Sequence, residues 1–217
     1  MSTQGITSRA VDTPRGPGRL VLDGDPSAGT VLMLGHGAGG GIEAPDLAAL
    51  AAQLPARGIA VVRFEQPWRT AGQKVAPAPK RLDEAWCLAV TDVREWLQPA
   101  TLVLGGRSAG ARVACRTASE QAADKVLALA FPLHLPARHV SRDAELLGVR
   151  VPTLVVQGTR DPMGTADEVA TVLDGHAGFR LHVVPGAGHE LTVGKRAQPG
   201  TEVLLSAVVS EVAAFIA

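Results

Sequence analysis

Leu104-Gly105-Gly106-Arg107-Ser108-Ala109-Gly110 decides the reading of this chain. An apolar run at 102–104 leads into Gly106-x-Ser108-x-Gly110, and a helical pattern follows. A strand that turns directly into a helix crowds the backbone around the residue at its apex. Glycine two positions to either side relieves that crowding. The serine is then left exposed at the top of a sheet and at a helix N-terminus, where the dipole favours a developing negative charge. A bare glycine-rich turn would carry no chemistry. The strand before it and the helix after it make Ser108 a candidate nucleophile.

Working outward, six short apolar runs occur at 31–34, 59–64, 102–104, 126–131, 154–156 and 181–184. Continuous runs of that length read as strands buried on both faces of a parallel sheet. Helical patterns lie between them. Leu47, Leu50, Ala51 and Leu54 share one face, with Pro45 in the first turn. Trp86, Val90, Val93 and Leu97 form a second stripe, and a third helix starts at Ser108. Thr165 is an N-cap candidate before Glu168, and Leu205, Val208, Val209, Val212 and Ile216 mark a C-terminal helix. This alternation predicts a single α/β domain over 1–217, a doubly wound, mostly parallel sheet with helices on both faces. Residues 6–22 read as a short antiparallel start, and the proline-rich stretch 66–80 as a surface loop.

A hydroxyl is a poor nucleophile at neutral pH and must have a base. Of six histidines, His182 lies within a strand pattern, His139 and His176 fall in polar loops, and His36 sits in a separate glycine motif. His134 follows the C-terminal end of a strand and is a secondary candidate. His189, in Pro185-Gly186-Ala187-Gly188-His189 after the last strand, is the expected base. A base held in one tautomer must have a carboxylate partner. Asp161 follows the run 154–156 at the end of a strand, where open α/β sheets place their sites. Asp167 and Asp174 fall on or near a helix and read as solvated. The order Ser108, Asp161, His189 is the one expected of this chain topology. Finally, Gly35-His36-Gly37-Ala38-Gly39-Gly40-Gly41 follows a strand and can aim backbone N–H groups at an oxyanion, with Ala38 and Ala109 as the two donors. It lacks the Lys-Ser/Thr pair of a phosphate-binding loop. His36 is expected to brace this loop.

Composition narrows the setting. Lysine plus arginine number 21 and aspartate plus glutamate 21, a balance that favours neither nucleic acid nor an anionic membrane as partner. Residues 1–14 lack the apolar core of a secretory signal, and no run is long enough to span a membrane, so a cytoplasmic protein is expected. The two cysteines, Cys87 and Cys115, fall in helical patterns and read as small buried thiols; neither a disulfide nor a metal site is expected, and no cofactor.

With these residues in view, the chain resembles the α/β-hydrolase superfamily. More narrowly it is similar to a small, lidless, dienelactone-hydrolase-like family that includes the testis-expressed protein 30 and KAT8 regulatory complex subunit 3 types. The resemblance rests on Gly35-His36-Gly37-Ala38-Gly39-Gly40, Gly105-Gly106-Arg107-Ser108-Ala109-Gly110, Phe131-Pro132-Leu133-His134, the stretch from Val156 through Gln157-Gly158-Thr159-Arg160-Asp161-Pro162-Met163-Gly164 to Thr165, and Gly188-His189. It implies the triad Ser108, Asp161 and His189, and no particular substrate. The expected function is a serine hydrolase of esterase type acting on a small acyl ester or thioester. The alternatives are a catalytically silent binding or scaffold protein, or an acyl transferase or cyclase using the same triad. About twenty residues join the strands ending near 131 and beginning near 153, with room for one short helix at Asp143–Leu147 and none for a helical cap. The acyl pocket is therefore expected to be shallow and open, shaped by 66–80 and 132–138, with His36, Trp68, His134 and Met163 as candidate lining residues. Arg107 either meets a buried carboxylate or faces the site. Oligomeric state is left open.

Overall fold

Residues that the sequence groups into apolar runs form the central strands, because a chain buried on both faces can satisfy its backbone only by pairing on both edges. The computed structural model describes residues 7–135 and 138–217, with 138 and 139 as backbone alone. Its strands, in chain order, are β1 (Thr7–Val11), β2 (Gly18–Asp23), β3 (Thr30–Gly35), β4 (Ile59–Glu65), β5 (Thr101–Arg107), β6 (Lys125–Leu129), β7 (His134–Leu135), β8 (Arg138–Ser141), β9 (Thr153–Gly158) and β10 (Phe179–Val184). The helices are α1 (Pro45–Gln53), α2 (Pro67–Thr70), α3 (Pro79–Leu97), α4 (Ala109–Thr117), α5 (Asp143–Leu147), α6 (Ala166–Leu173) and α7 (Thr201–Ile216).

Eight strands make one sheet in the order β1-β2-β4-β3-β5-β6-β9-β10. β2 pairs antiparallel with β1 and β4, and every other pairing is parallel. The antiparallel start expected over 6–22 is β1 and β2; Ile6 lies outside the described residues. Leu47, Leu50, Leu205, Val208 and Val212 cover one face of the sheet, from α1 and α7. Trp86, Val90, Val113, Leu146 and Val169 cover the other, from α3, α4, α5 and α6. Thr165 caps α6 in a reciprocal box: its hydroxyl accepts the Glu168 N–H, and its own N–H donates to the Glu168 carboxylate at 2.8 Å.

The order places the site. From β3 the chain steps to one side, to β4, and from β4 it crosses back to the other side of β3, to β5. The connections leaving the C-terminal ends of β3 and β5 therefore diverge and open a crevice, the switch point at which open α/β sheets bind ligands. Among the described residues, the β6-to-β9 connection holds only the hairpin β7–β8 and the five-residue α5, which is too little to build a helical cap.

Three details differ from the sequence reading. The run 181–184 is not buried on both faces: β10 is the sheet edge, and Val183 is exposed. The stretch 66–80 is not wholly a surface loop, because Pro67 opens α2 and Gln66, Pro67 and Trp68 are buried. His139 lies on the short strand β8 rather than in a loop.

Candidate active site

Ser108 follows β5 directly and holds the N-cap position of α4 with φ 53° and ψ −110°, a region a non-glycine residue occupies at a cost of about 1–3 kcal/mol. Close packing enforces that turn. A Cβ on Gly106 would sit 2.6 Å from the Gly35 carbonyl oxygen, and one on Gly110 would overlap the same carbonyl. Glycine at both positions lets the elbow lie directly against the end of β3, so the loop after β3 arrives beside the serine.

His189 Nε2 is 2.9 Å from Ser108 Oγ, and its Nδ1 is 2.8 Å from Asp161 Oδ2. The three side chains come from the connections after β5, β9 and β10, and form one hydrogen-bonded line. The Asp161 side chain is fully buried. Gln157 Nε2 donates to the same Oδ2 at 3.0 Å, and the Met163 N–H donates to Oδ1 at 2.8 Å. Three donors thus converge on one carboxylate, and with Nδ1–H pointed at Asp161 the other imidazole nitrogen is free to accept the serine proton.

The glycine loop beyond β3 is braced from two directions. His36 Nδ1 lies 2.8 Å from the Gly37 carbonyl, and its Nε2 accepts the Gln66 N–H at 3.1 Å. That pattern requires a neutral ring, and burial pushes the His36 pKa down. Further along, Arg63 donates to the Ile42 carbonyl at 3.0 Å while Asp23 holds its guanidinium. Among the described residues, neither the Ala38 N–H nor the Ala109 N–H is hydrogen-bonded to a backbone or side-chain group.

Two spaces flank the elbow, and Ser108 lines the second. A small chamber lined by Gly35, Ala38, Trp68, Trp86, Ala109 and Val113 leaves about 10 Å³ open to the centre of a water-sized sphere, room for about one water molecule. An open cleft lined by Gly37–Gly41, Glu43, Ser108, Met163, His189 and Glu190 offers about 460 Å³ by the same measure. Trp68, His36 and Met163 thus stand where the sequence reading put them, in the walls. His134 does not. It lines neither space; its N–H donates to the Met163 carbonyl, and its ring lies 3.9 Å from Glu168. Of the segment 132–138, residues 136 and 137 lie outside the described residues, and none of 132–135 lines the chamber. The space beside the Ala38 and Ala109 N–H groups is narrow because Trp68 and Trp86 fill it, and the open cleft lies on the other side of the glycine loop's Ala38.

Sequence reasoning gave no role to Gln157 or Asp46. Gln157 lay inside a quoted motif, four residues before Asp161, and a buried amide at that spacing is a signal that could have been used. Asp46 looked like an ordinary acidic residue in a first helical turn. Arg107, left undecided, meets that buried carboxylate: its Nε is 3.3 Å from Asp46 Oδ2. Burial pushes the Cys87 thiol up to about 11 and Cys115 up to about 12, so both are poor nucleophiles. Among the described residues no group of three His, Cys, Asp or Glu could hold a metal ion, and no helix is long and apolar enough to cross a membrane.

A doubly wound sheet with a serine elbow at its switch point and no helical cap defines the class: a lidless α/β-hydrolase fold. Residues 28–217 match the family described as "Alpha/beta hydrolase domain", and the chain belongs to that family. Its fold is shared with a lidless α/β serine hydrolase from Xanthomonas campestris (TM-score 0.75, 22% identity, covering 100% of this chain and 97% of that one). It is shared also with a dienelactone hydrolase from Anabaena variabilis (0.75, 19%, 97% and 96%) and an esterase from Pyrococcus furiosus (0.77, 17%, 98% and 91%).

Proposed function

We propose that this protein is a serine hydrolase of esterase type that acts on small acyl esters or thioesters through Ser108, His189 and Asp161. The observation that carries the reading is the hydrogen-bonded line from Ser108 Oγ through His189 to Asp161, with the N–H groups of Ala38 and Ala109 beside it and uncommitted. In this mechanism Ser108 Oγ attacks the acyl carbonyl and His189 Nε2 takes its proton. The carbonyl π electrons move to oxygen, and the two N–H groups hold the resulting oxyanion. Collapse restores the carbonyl and breaks the bond to the alcohol or thiol, which leaves with the proton from His189. Water then repeats the sequence on the acyl-enzyme and frees the acid and Ser108.

The two spaces divide the substrate. The leaving group must lie within reach of His189, which protonates it, and His189 lines only the open cleft. The acyl group therefore enters the chamber against Trp68 and Trp86. A space of one water's size is about that of one methyl group, so the shortest acyl groups fit and a longer chain enters only by displacing side chains. A scaffold reading leaves the strained φ of Ser108 and the intact line without a purpose.

The test is a fluorophosphonate probe read by intact-mass and peptide mass spectrometry. One adduct per chain, at Ser108 and absent from Ser108→Ala, is expected. Labelling at another residue, or none on folded protein, overturns the reading.

A further inference from the structure

The residue before the nucleophile is tied to the base from below. Arg107 lies at the end of β5 with its side chain only 8% exposed, and its Nη2 donates to the backbone carbonyl of His189 at 3.0 Å. The same guanidinium faces Asp46, the second residue of α1, whose side chain has no exposure. Nε and Oδ2 stand 3.3 Å apart without hydrogen-bond alignment, so the contact is Coulombic. The other Asp46 oxygen accepts the Leu47 N–H at 3.0 Å. Nothing in the chemistry proposed above uses either side chain.

The segment they hold is anchored around His189 rather than at it: Ala187 and Leu191 are buried and the Ala187 carbonyl accepts the Arg160 N–H, whereas among the described residues the Arg107 bond is the one made to the His189 backbone. Gly186-Ala187-Gly188-His189 carries two glycines, and Leu191 just beyond it turns at φ 52°. Glycine permits such a path but does not fix it. The imidazole must nevertheless meet Ser108 Oγ on one side and Asp161 on the other. We propose that Asp46 and Arg107 are a positioning pair: Asp46 fixes the guanidinium, and the guanidinium fixes the His189 backbone so that its ring stays aligned with Ser108. The pair rests on the reading of Ser108 as nucleophile. It also joins α1, which follows the Ala38 loop, to the elbow and to the base, so one guanidinium spans three of the connections that build the site.

A packing role alone explains the pair poorly. Two apolar side chains of the same size would serve a fold at least as well as a buried ion pair. Burial, moreover, raises the Asp46 carboxyl to about 6, opposed by Arg107 from β5 and His189 from the loop after β10, the charged side chains found to act on it. An ionised group held at that cost beside a reacting site is more often functional than structural. The positioning role carries a pH consequence. A protonated Asp46 no longer holds Arg107 in place, and a protonated His189 cannot act as base. Protonating Asp46 therefore loosens the brace, and activity falls in acid more steeply than a single ionisation allows.

Arg107→Lys and Asp46→Asn separate these roles. Lysine keeps a positive charge facing Asp46 but has no second nitrogen to reach the His189 carbonyl. For Arg107→Lys the rate of Ser108 phosphonylation and the kcat for a short-chain p-nitrophenyl ester should fall about 10–100-fold, the scale of a small misplacement of a catalytic group. Arg107 also lines the open cleft, so the reading that bears on positioning is a fall in kcat much larger than any change in KM. Asp46→Asn, which mimics the protonated carboxyl, should lose kcat on the same scale, and its acid limb should relax to that of a single ionisation. The downfield proton resonance of the His189–Asp161 hydrogen bond should shift or broaden in both variants, a readout that does not depend on turnover. Unlabelled wild-type protein would sink the hydrolase reading, while that resonance still judges the pair. A kcat within twofold of wild type, an unchanged resonance and only a lowered melting temperature would make the pair structural and overturn the proposal.

Discussion

Replacing Asp161 by Asn removes one charge and one acceptor from a carboxylate that three donors surround. Oδ2 receives His189 Nδ1–H and Gln157 Nε2–H, and Oδ1 receives the Met163 N–H. An asparagine must turn its NH₂ toward one side or the other. Facing His189 and Gln157 it meets two donors; facing Met163 it meets one. The second orientation costs less, leaving one buried N–H unsatisfied, about 1–3 kcal/mol of stability. It also keeps the amide oxygen on His189 and so preserves the tautomer. What is lost for catalysis is the negative charge beneath the imidazolium that forms as Ser108 gives up its proton. A charge-assisted bond is about twice as strong as a neutral one, so the least expected loss in kcat is about 10-fold. Should the amide flip and force the wrong tautomer, the loss approaches about 10⁴-fold. Steady-state hydrolysis of p-nitrophenyl butyrate and urea unfolding of the same preparation read both effects. KM should change little, because Asp161 is buried behind His189. A variant that keeps more than half of the wild-type kcat would refute the assignment of Asp161, and Asp167 would be the next carboxylate to examine.

The chamber and Asp46 support two further predictions. Across p-nitrophenyl esters, kcat/KM should be highest for the shortest acyl chains with no jump at the micelle threshold, and Trp68→Leu should move the optimum to longer chains by joining the chamber to the neighbouring cavity lined by Pro67, Gln73 and Pro77; a wild-type optimum near twelve carbons refutes the chamber as the acyl site. The raised Asp46 carboxyl, from 3.8 to about 6, means that the native state binds the extra proton across that interval, so wild-type stability falls relative to Asp46→Asn by about 3 kcal/mol as pH rises from about 4 to about 6. A constant difference in urea midpoints over that range would show that the carboxyl is not held high.

The parts of the site legible in the sequence are those with local signals. Ser108 lies between glycines that follow an apolar run, Asp161 follows the next such run but one, and His189 ends a glycine loop; each signal fits within one strand end and its turn. The parts that were not legible depend on distant segments. Asp46 follows a proline at the start of a helix, where an acidic residue ordinarily faces solvent and favours the dipole. It is buried because the sheet order brings the start of α1 under the end of β5. Trp68 was legible as a candidate lining residue but its burial was not: Pro67 opens a short helix that turns the indole inward, whereas a proline-rich stretch reads as surface. His134 does follow a strand end, but the chain there turns into the β7–β8 hairpin and carries the ring toward Glu168.

The same contrast explains why buried polar residues recur around this site. Each connection that reaches Ser108 is rich in glycine, because only glycine permits such close approach of backbones. Glycine brings no side chain to pack, so these connections have little apolar surface with which to hold themselves in place. The stiffness must come from elsewhere, and it comes from long polar side chains on the strands beneath. Arg63 on β4 holds Ile42, Arg107 on β5 holds His189, and Gln157 on β9 holds Asp161 and the carbonyl of Gly164. A strand near its C-terminal end is rigid, and a long side chain there reaches one turn of loop above it. Each guanidinium is in turn fixed by a buried or half-buried aspartate, Asp23 or Asp46. Removing any one brace should therefore loosen one connection and spare the sheet, so its effect should be larger on turnover than on global stability.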